Sequence, residues 1–165
     1  MNFGGAIYWR GDGTLNIANS TFTDNKAHKD ATENIGGAGG VVYWYTSAGN
    51  CNISGSIFTN NTALTGGGTA YLRNGTNINI LNSTFNNSLS DGNGGAILFE
   101  GGSPTILVDD CHFNQCACSN GSAFMMAPSA ANITVRKTLI ENCTPSKPSG
   151  DGGTIRSVGA VASNF

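Results

Sequence analysis

The feature that most constrains this chain is a repeat. "GGAIYW" at Gly4 to Trp9 returns as "GGVVYW" at Gly39 to Trp44 and "GGAILF" at Gly94 to Phe99, with the variants "GGTA", "GSAF" and "GGTI". The second motif position falls at Gly5, Gly40, Gly68, Gly95, Ser122 and Gly153, in steps of 35, 28, 27, 27 and 31 residues. A second motif keeps the same phase: "LNIANSTF" at Leu15, "CNISGSIF" at Cys51, "INILNSTF" at Ile78, "ILVDDCHF" at Ile106 and "ITVRKTLI" at Ile133. Units of this length cannot each bury an apolar face alone, so the chain must stack them.

The columns of the second motif carry the physical content. Its first column (Leu15, Cys51, Ile78, Ile106, Ile133) and third column (Ile17, Ile53, Ile80, Val108, Val135) are apolar, while the second and fourth are mostly polar. That period-2 alternation marks a half-buried strand. A turn at the fifth column (Asn19, Gly55, Asn82, Asp110, Lys137) then resets the direction. The small sixth and bulky eighth columns, the latter Phe22, Phe58, Phe85, Phe113 and Ile140, predict a second strand facing the core. The "GGAIYW" segment supplies a third, its glycines permitting a corner where a Cβ would clash or φ must be positive. Three short strands per coil predict an all-β fold: a parallel β-helix of about five coils, one domain over 1–165. It is right-handed by the general preference of parallel connections.

Composition agrees. Of 165 residues, 24 are Gly and only 18 are charged, and a chain rich in Gly, Asn, Ser and Thr favours turns and strands over helices. The net charge of −2 comes with no basic stripe for nucleic acid. No run of about 18 apolar residues forms a membrane-spanning helix. Met1 leads straight into the first motif, without the charged region and apolar core of a signal peptide.

The alternation of "GGA[I/L/V]" with "FxxN" resembles the repeats of the chlamydial-type polymorphic outer membrane proteins. The first motif stands at Gly4 and Gly5 and again at Gly94 and Gly95, with variants at Gly39 and Gly40 and at Gly67 and Gly68. The second stands as "FTDN" from Phe22 to Asn25 and "FTNN" from Phe58 to Asn61, then decays beyond Phe85 and Phe113. The resemblance implies a right-handed β-helix passenger displayed at the outer membrane, with adhesion as its role. It leaves the family's C-terminal barrel unmatched, so the chain looks like a piece of a longer array.

Chemistry on the strands is sparse. The pair Asp109 and Asp110 admits a carboxylate dyad for glycoside hydrolysis. It equally admits cross-strand contacts to Arg136 and Lys137 one coil later, which is favoured because no further acid, His or Tyr joins the pair. His28 and His112 are the only histidines and have no acidic partner in the repeat frame. Cys111, His112, Cys116 and Cys118 suggest a metal site by composition, but alternation turns Cys111 inward and His112 outward. No catalytic, metal or cofactor site is therefore expected. Nine glycosylation sequons arise readily in so Asn-rich a chain, and Asn25 and Asn61 are expected to turn inward and bond along the stack.

Cys116 and Cys143 occupy one corner column below Asn25, Asn61 and Ser88. Neighbours there lie ~5 Å apart at Cα, within a disulfide's span, so the two form either a bridge in an oxidising compartment or a reduced pair. Finally, the step from Gly5 to Gly40 exceeds the period by 8 residues, and the excess carries Lys26, His28, Lys29, Asp30 and Glu33. Insertions in solenoids protrude and often bind, so this loop is the expected contact with a host-cell or surface glycan or protein, with a shorter one at Thr144 to Asp151. The functional expectation is a non-enzymatic, adhesin-like passenger at the cell surface or outside the cell. The alternatives are a carbohydrate-active enzyme, lyase or hydrolase, and a structural spacer.

Overall fold

The structure, a computed structural model, describes residues 3–29, 36–146 and 153–165. The chain winds through four parallel sheets. The first contains Ile7–Arg10, Val42–Thr46, Ala70–Asn74, Ile97–Glu100, Phe124–Ala127 and Ile155–Ser157. The second contains Gly13–Ala18, Gly49–Ser54, Asn77–Leu81, Thr105–Asp109, Ala130–Arg136 and Ala160–Asn164. The third runs through Thr21–Thr23, Ile57–Thr59, Thr84–Asn86, His112–Asn114 and Leu139–Glu141. The pairings between these strands join equivalent segments of neighbouring coils, for example Ile78 with Cys51 and Ile106.

A fourth sheet, Lys26–Ala27, Thr62–Ala63, Leu89–Ser90, Ala117–Cys118 and Thr144–Pro145, corrects the expectation of three strands per coil. Its members are two residues long, too short to show alternation in a sequence. Among the described residues no helix is long and apolar enough to cross a membrane.

Three left-handed corners turn each coil. The fifth column provides one, with φ of 49° at Asn19, 56° at Gly55, 45° at Asn82, 54° at Asp110 and 49° at Lys137. A second falls at Asp24, Asn60, Asn87, Gln115 and Asn142, where short polar side chains tolerate φ > 0. The third is the first glycine of each pair, such as Gly67 with φ 60°. Its neighbour Gly68 answers a different demand: a Cβ there would land on the carbonyl oxygen of Gly95 in the next coil and lie 2.6 Å from that of Leu89. The paired glycines thus let one backbone pass against another.

Inside, like stacks on like. Phe22, Phe58, Phe85 and Phe113 form a column with ring centroids 5.3, 4.9 and 4.7 Å apart and planes within 7° of parallel. The register Thr84 to His112 and to Ile57 holds them in line. Each such ring pair contributes ~0.5–1.5 kcal/mol beyond its buried area. Trp44, Cys51, Ile53, Ile78 and Ile80 complete a continuous axial core.

In its middle strands the first sheet is buried on both faces over much of its length, unlike the others. Its outward residues Tyr43, Tyr71, Leu98 and Met125 form a second apolar cluster with Ala38. The turns ahead of the glycine corners lean over it, paired in parallel through Ala38, Gly66, Asn93 and Asn120. The backbone of Gly66 lies so close that a Cβ there would sit 2.6 Å from Leu98 Cδ2.

Candidate functional site

The expected contact loop rises from the fourth sheet. Lys26, His28 and Lys29 are exposed, and an antiparallel bridge between Lys29 and Gly36 closes the loop's base. Asp30 and Glu33 lie outside the described residues, as does most of the shorter stretch beyond Ser146. Beside the root is a groove of about 190 Å3, lined by Lys26, His28, Thr62, Leu64, Leu89 and Asp91. Leu64 and Leu89 are more than one-third exposed, so the floor is apolar and the rim charged.

Outward polar columns are spent on one another. Asn52 Nδ2 donates to Asn16 Oδ1 at 2.8 Å, and Asn79 Nδ2 to Asn52 Oδ1 at 2.9 Å. Asn114 and Asn142 extend a parallel ladder from Asn86 at 3.2 and 3.0 Å. The sequon amides of Asn52, Asn120 and Asn142 are thus already donors within ladders. At the buried corner, Asn61 Oδ1 accepts from both the backbone N–H and the Nδ2 of Asn25, while its own Nδ2 donates to the Phe22 carbonyl. Both bond along the stack as expected; Asn61 is fully buried, whereas Asn25 in the first coil is only partly so.

The acidic residues divide. Asp109 Oδ2 accepts from Arg136 Nη2 at 2.8 Å, the expected cross-strand contact. Asp110 and Lys137 instead occupy stacked left-handed corners, and no ion pair joins them among the described residues. His112, expected to lack an acidic partner, meets Glu141 at 2.9 Å. The partner was invisible in the repeat frame because it lies diagonally, two residues beyond the register mate Leu139. Asp12 was overlooked. Its Oδ1 accepts from Ser47 Oγ at 2.7 Å, Thr46 Oγ1 at 3.0 Å and the backbone N–H of Ser47 and Ala48 at 3.1 Å. These donors, the Ser47 hydroxyl first, hold its carboxyl below the usual range.

All five cysteines are free and buried. The register Ala117 to Thr144 places Cys116 against Cys143, as the columns require. The bridge itself is not formed: Cys116 N–H donates to Cys143 Sγ at 3.3 Å. The neighbouring Cys143 thiol, then burial, pushes Cys116 up, and the same contact draws Cys143 down. Cys111 is buried inside and His112 lies outside, and among the described residues no three His, Cys, Asp or Glu side chains come together.

A second cleft, of about 240 Å3, lies on the outer face of the first sheet between Phe3, Tyr8, Arg10, Tyr43, Tyr45 and Arg73. Sequence reasoning missed it. The signal was present in the outward positions of "AIYW", "VVYWY" and "TAYLR", a segment read only as a third strand.

The sequence profile of the right-handed beta helix region matches residues 2–164. The chain belongs to that family. Handedness, left to a general preference by the sequence, is thereby fixed for the coil just described. The chain matches no curated protein and no solved structure. Members of a β-helix family share a scaffold rather than a chemistry, so function must be argued from the surfaces.

Proposed function

We propose that this β-helix is a non-enzymatic, adhesin-like protein of the cell surface or extracellular space that presents the groove at its loop root to a glycan or protein ligand. The observation that carries this is the groove itself. Lys26 and His28 line it together with exposed Leu64 and Leu89 and with Asp91, at the root of the longest insertion in the array. An apolar floor with a charged rim suits recognition, and insertions on a rigid coil are where such proteins bind. The resemblance of the "GGAI" and "FTDN" repeats to polymorphic outer membrane proteins supports display and adhesion.

Binding of the purified chain to cultured epithelial cells and to arrayed surface glycans tests the proposal. Lys26→Glu combined with His28→Ala is expected to lower binding several-fold, and unchanged binding overturns the assignment of the groove. Incubation with pectin and polygalacturonate is expected to yield no cleavage. Cleavage abolished by Asp110→Asn would make the chain an enzyme instead.

A further inference from the structure

We propose that the outer face of the first sheet carries a separate binding site for the anionic group of an acidic saccharide, built by Arg10, Tyr45 and Arg73 with Tyr8 as a platform. The register sets Arg10 opposite Tyr45 and Tyr45 opposite Arg73, one column across three coils. Both guanidinium carbons lie over the Tyr45 ring, 5.7 Å from its centroid for Arg10 and 5.3 Å for Arg73. Two cations therefore flank one aromatic ring at two strand spacings, ~10 Å apart.

No ion pair joins Arg10 or Arg73 to a carboxylate among the described residues, although the charge of Glu100 acts on Arg73. The next member of the column, Glu100, accepts a hydrogen bond from the Tyr71 hydroxyl. Arg10 and Arg73 both remain exposed. Planar guanidiniums already stacked lose little freedom on binding, and their N–H forks match a carboxylate or sulfate.

The adjacent surface favours a sugar as the carrier. Tyr8, Tyr43 and Tyr71 stack in sequence with centroids 5.5 and 5.0 Å apart. Tyr8 ends that stack and is 52% exposed, presenting an apolar ring with a polar tip. The opening, about 240 Å3, is open to solvent and has room for about one pyranose ring. This site stands independently of the loop-root groove, because it is formed by other residues on another sheet.

Calorimetric titration of the full chain separates the sources of the anion. The probes are 3′-sialyl-N-acetyllactosamine, 6-sulfo-N-acetyllactosamine, neutral N-acetyllactosamine and an oligoglutamate peptide. One or both acidic sugars are expected to bind at least about tenfold more tightly than the neutral one, and which of them does identifies carboxylate or sulfate. Arg10→Gln is expected to weaken that binding about tenfold, with Arg10→Lys retaining part of it. Because Arg73→Gln also leaves the Glu100 charge without the cation opposite it, the Arg10 and Tyr8→Ala variants carry the test. Equal affinity for neutral and acidic sugars, no binding of either acidic sugar, tight binding of oligoglutamate alone, or an Arg10→Gln variant that binds as before would each overturn the site. None of these outcomes bears on the groove beside Lys26.

Discussion

At Gly67 and at Lys137 the backbone makes the same left-handed bend, with φ of 60° and 49°. One corner is glycine in coil after coil; the other accepts Asn, Gly, Asp and Lys. Positive φ is common to both and cannot explain the difference. The space around the Cβ does. At Gly67 a Cβ would land on the carbonyl of Ala70, and at Gly68 on that of Gly95 in the next coil, whereas the fifth-column corner points its side chain away from the core. Strain at the glycine pair comes from backbone passing backbone, and at the other corner only from local conformation.

The sharpest break of this comparison sets Gly68→Ala against Gly13→Ala. Gly68 has no unusual φ but no room, while Gly13 has φ 123° with Trp9 Cζ2 at 3.7 Å as the only nearby atom. Gly68→Ala is expected to cost ~4 kcal/mol or more, and Gly13→Ala ~1–3 kcal/mol. Equal losses in chemical denaturation would show that a small backbone shift relieves the crowding at Gly68 and that the steric account is wrong.

Asparagine sharpens the same contrast between crowded and open positions. Asn61, fully buried, makes three hydrogen bonds at its corner. Asn61→Ala strands the Asn25 N–H and the Phe22 carbonyl and is expected to cost ~2 kcal/mol. Asn52→Ala, in a solvent-facing ladder, is expected to cost under about 0.5 kcal/mol by the same melt. Comparable losses would give the exposed ladders a structural weight that their exposure denies them.

How much of this was legible follows from the same physics. Ile78, Ile80 and Phe85 could be placed inside because column identity repeats every coil and alternation gives each strand its face. The corner asparagines were legible because a buried amide needs partners along the stack. The strand at Lys26–Ala27 was not, since two residues carry no period. Nor was the Arg10, Tyr45 and Arg73 column, whose members differ in type and are related only by register. His112 and Glu141 escaped for a similar reason, their contact running diagonally across the ladder.

Corners answer to sterics at any pH, whereas the core thiols make the coil interior answer to pH. Burial pushes Cys51 up to about 12 and Cys111 up to about 11. Below the ordinary thiol range both folded and unfolded chains hold these protons, and the stabilisation is fully present. Above about pH 9 the unfolded chain releases them first, so stability falls as pH rises, by up to ~1.4 kcal/mol per pH unit for each thiol. Cys51→Val should flatten that alkaline decline between pH 9 and 11 in urea melts. An unchanged slope would mean that Cys51 keeps an ordinary thiol in the fold.

The smallest effect probes the open corner directly. Lys137 holds φ 49° with a side chain that gains no ladder partner comparable to Asn52 or Asn114. A non-glycine residue there bears a left-handed cost of ~1 kcal/mol that glycine avoids, while glycine loses more freedom on folding, so the two terms largely offset. Lys137→Gly is expected to stabilise the chain by about 0.5 kcal/mol or less, and Asn82→Gly to be neutral because asparagine already tolerates the bend. A destabilisation above ~1 kcal/mol by Lys137→Gly would show that the lysine stem packs across the corner, and this corner would then depend on its side chain as the glycine corner depends on having none.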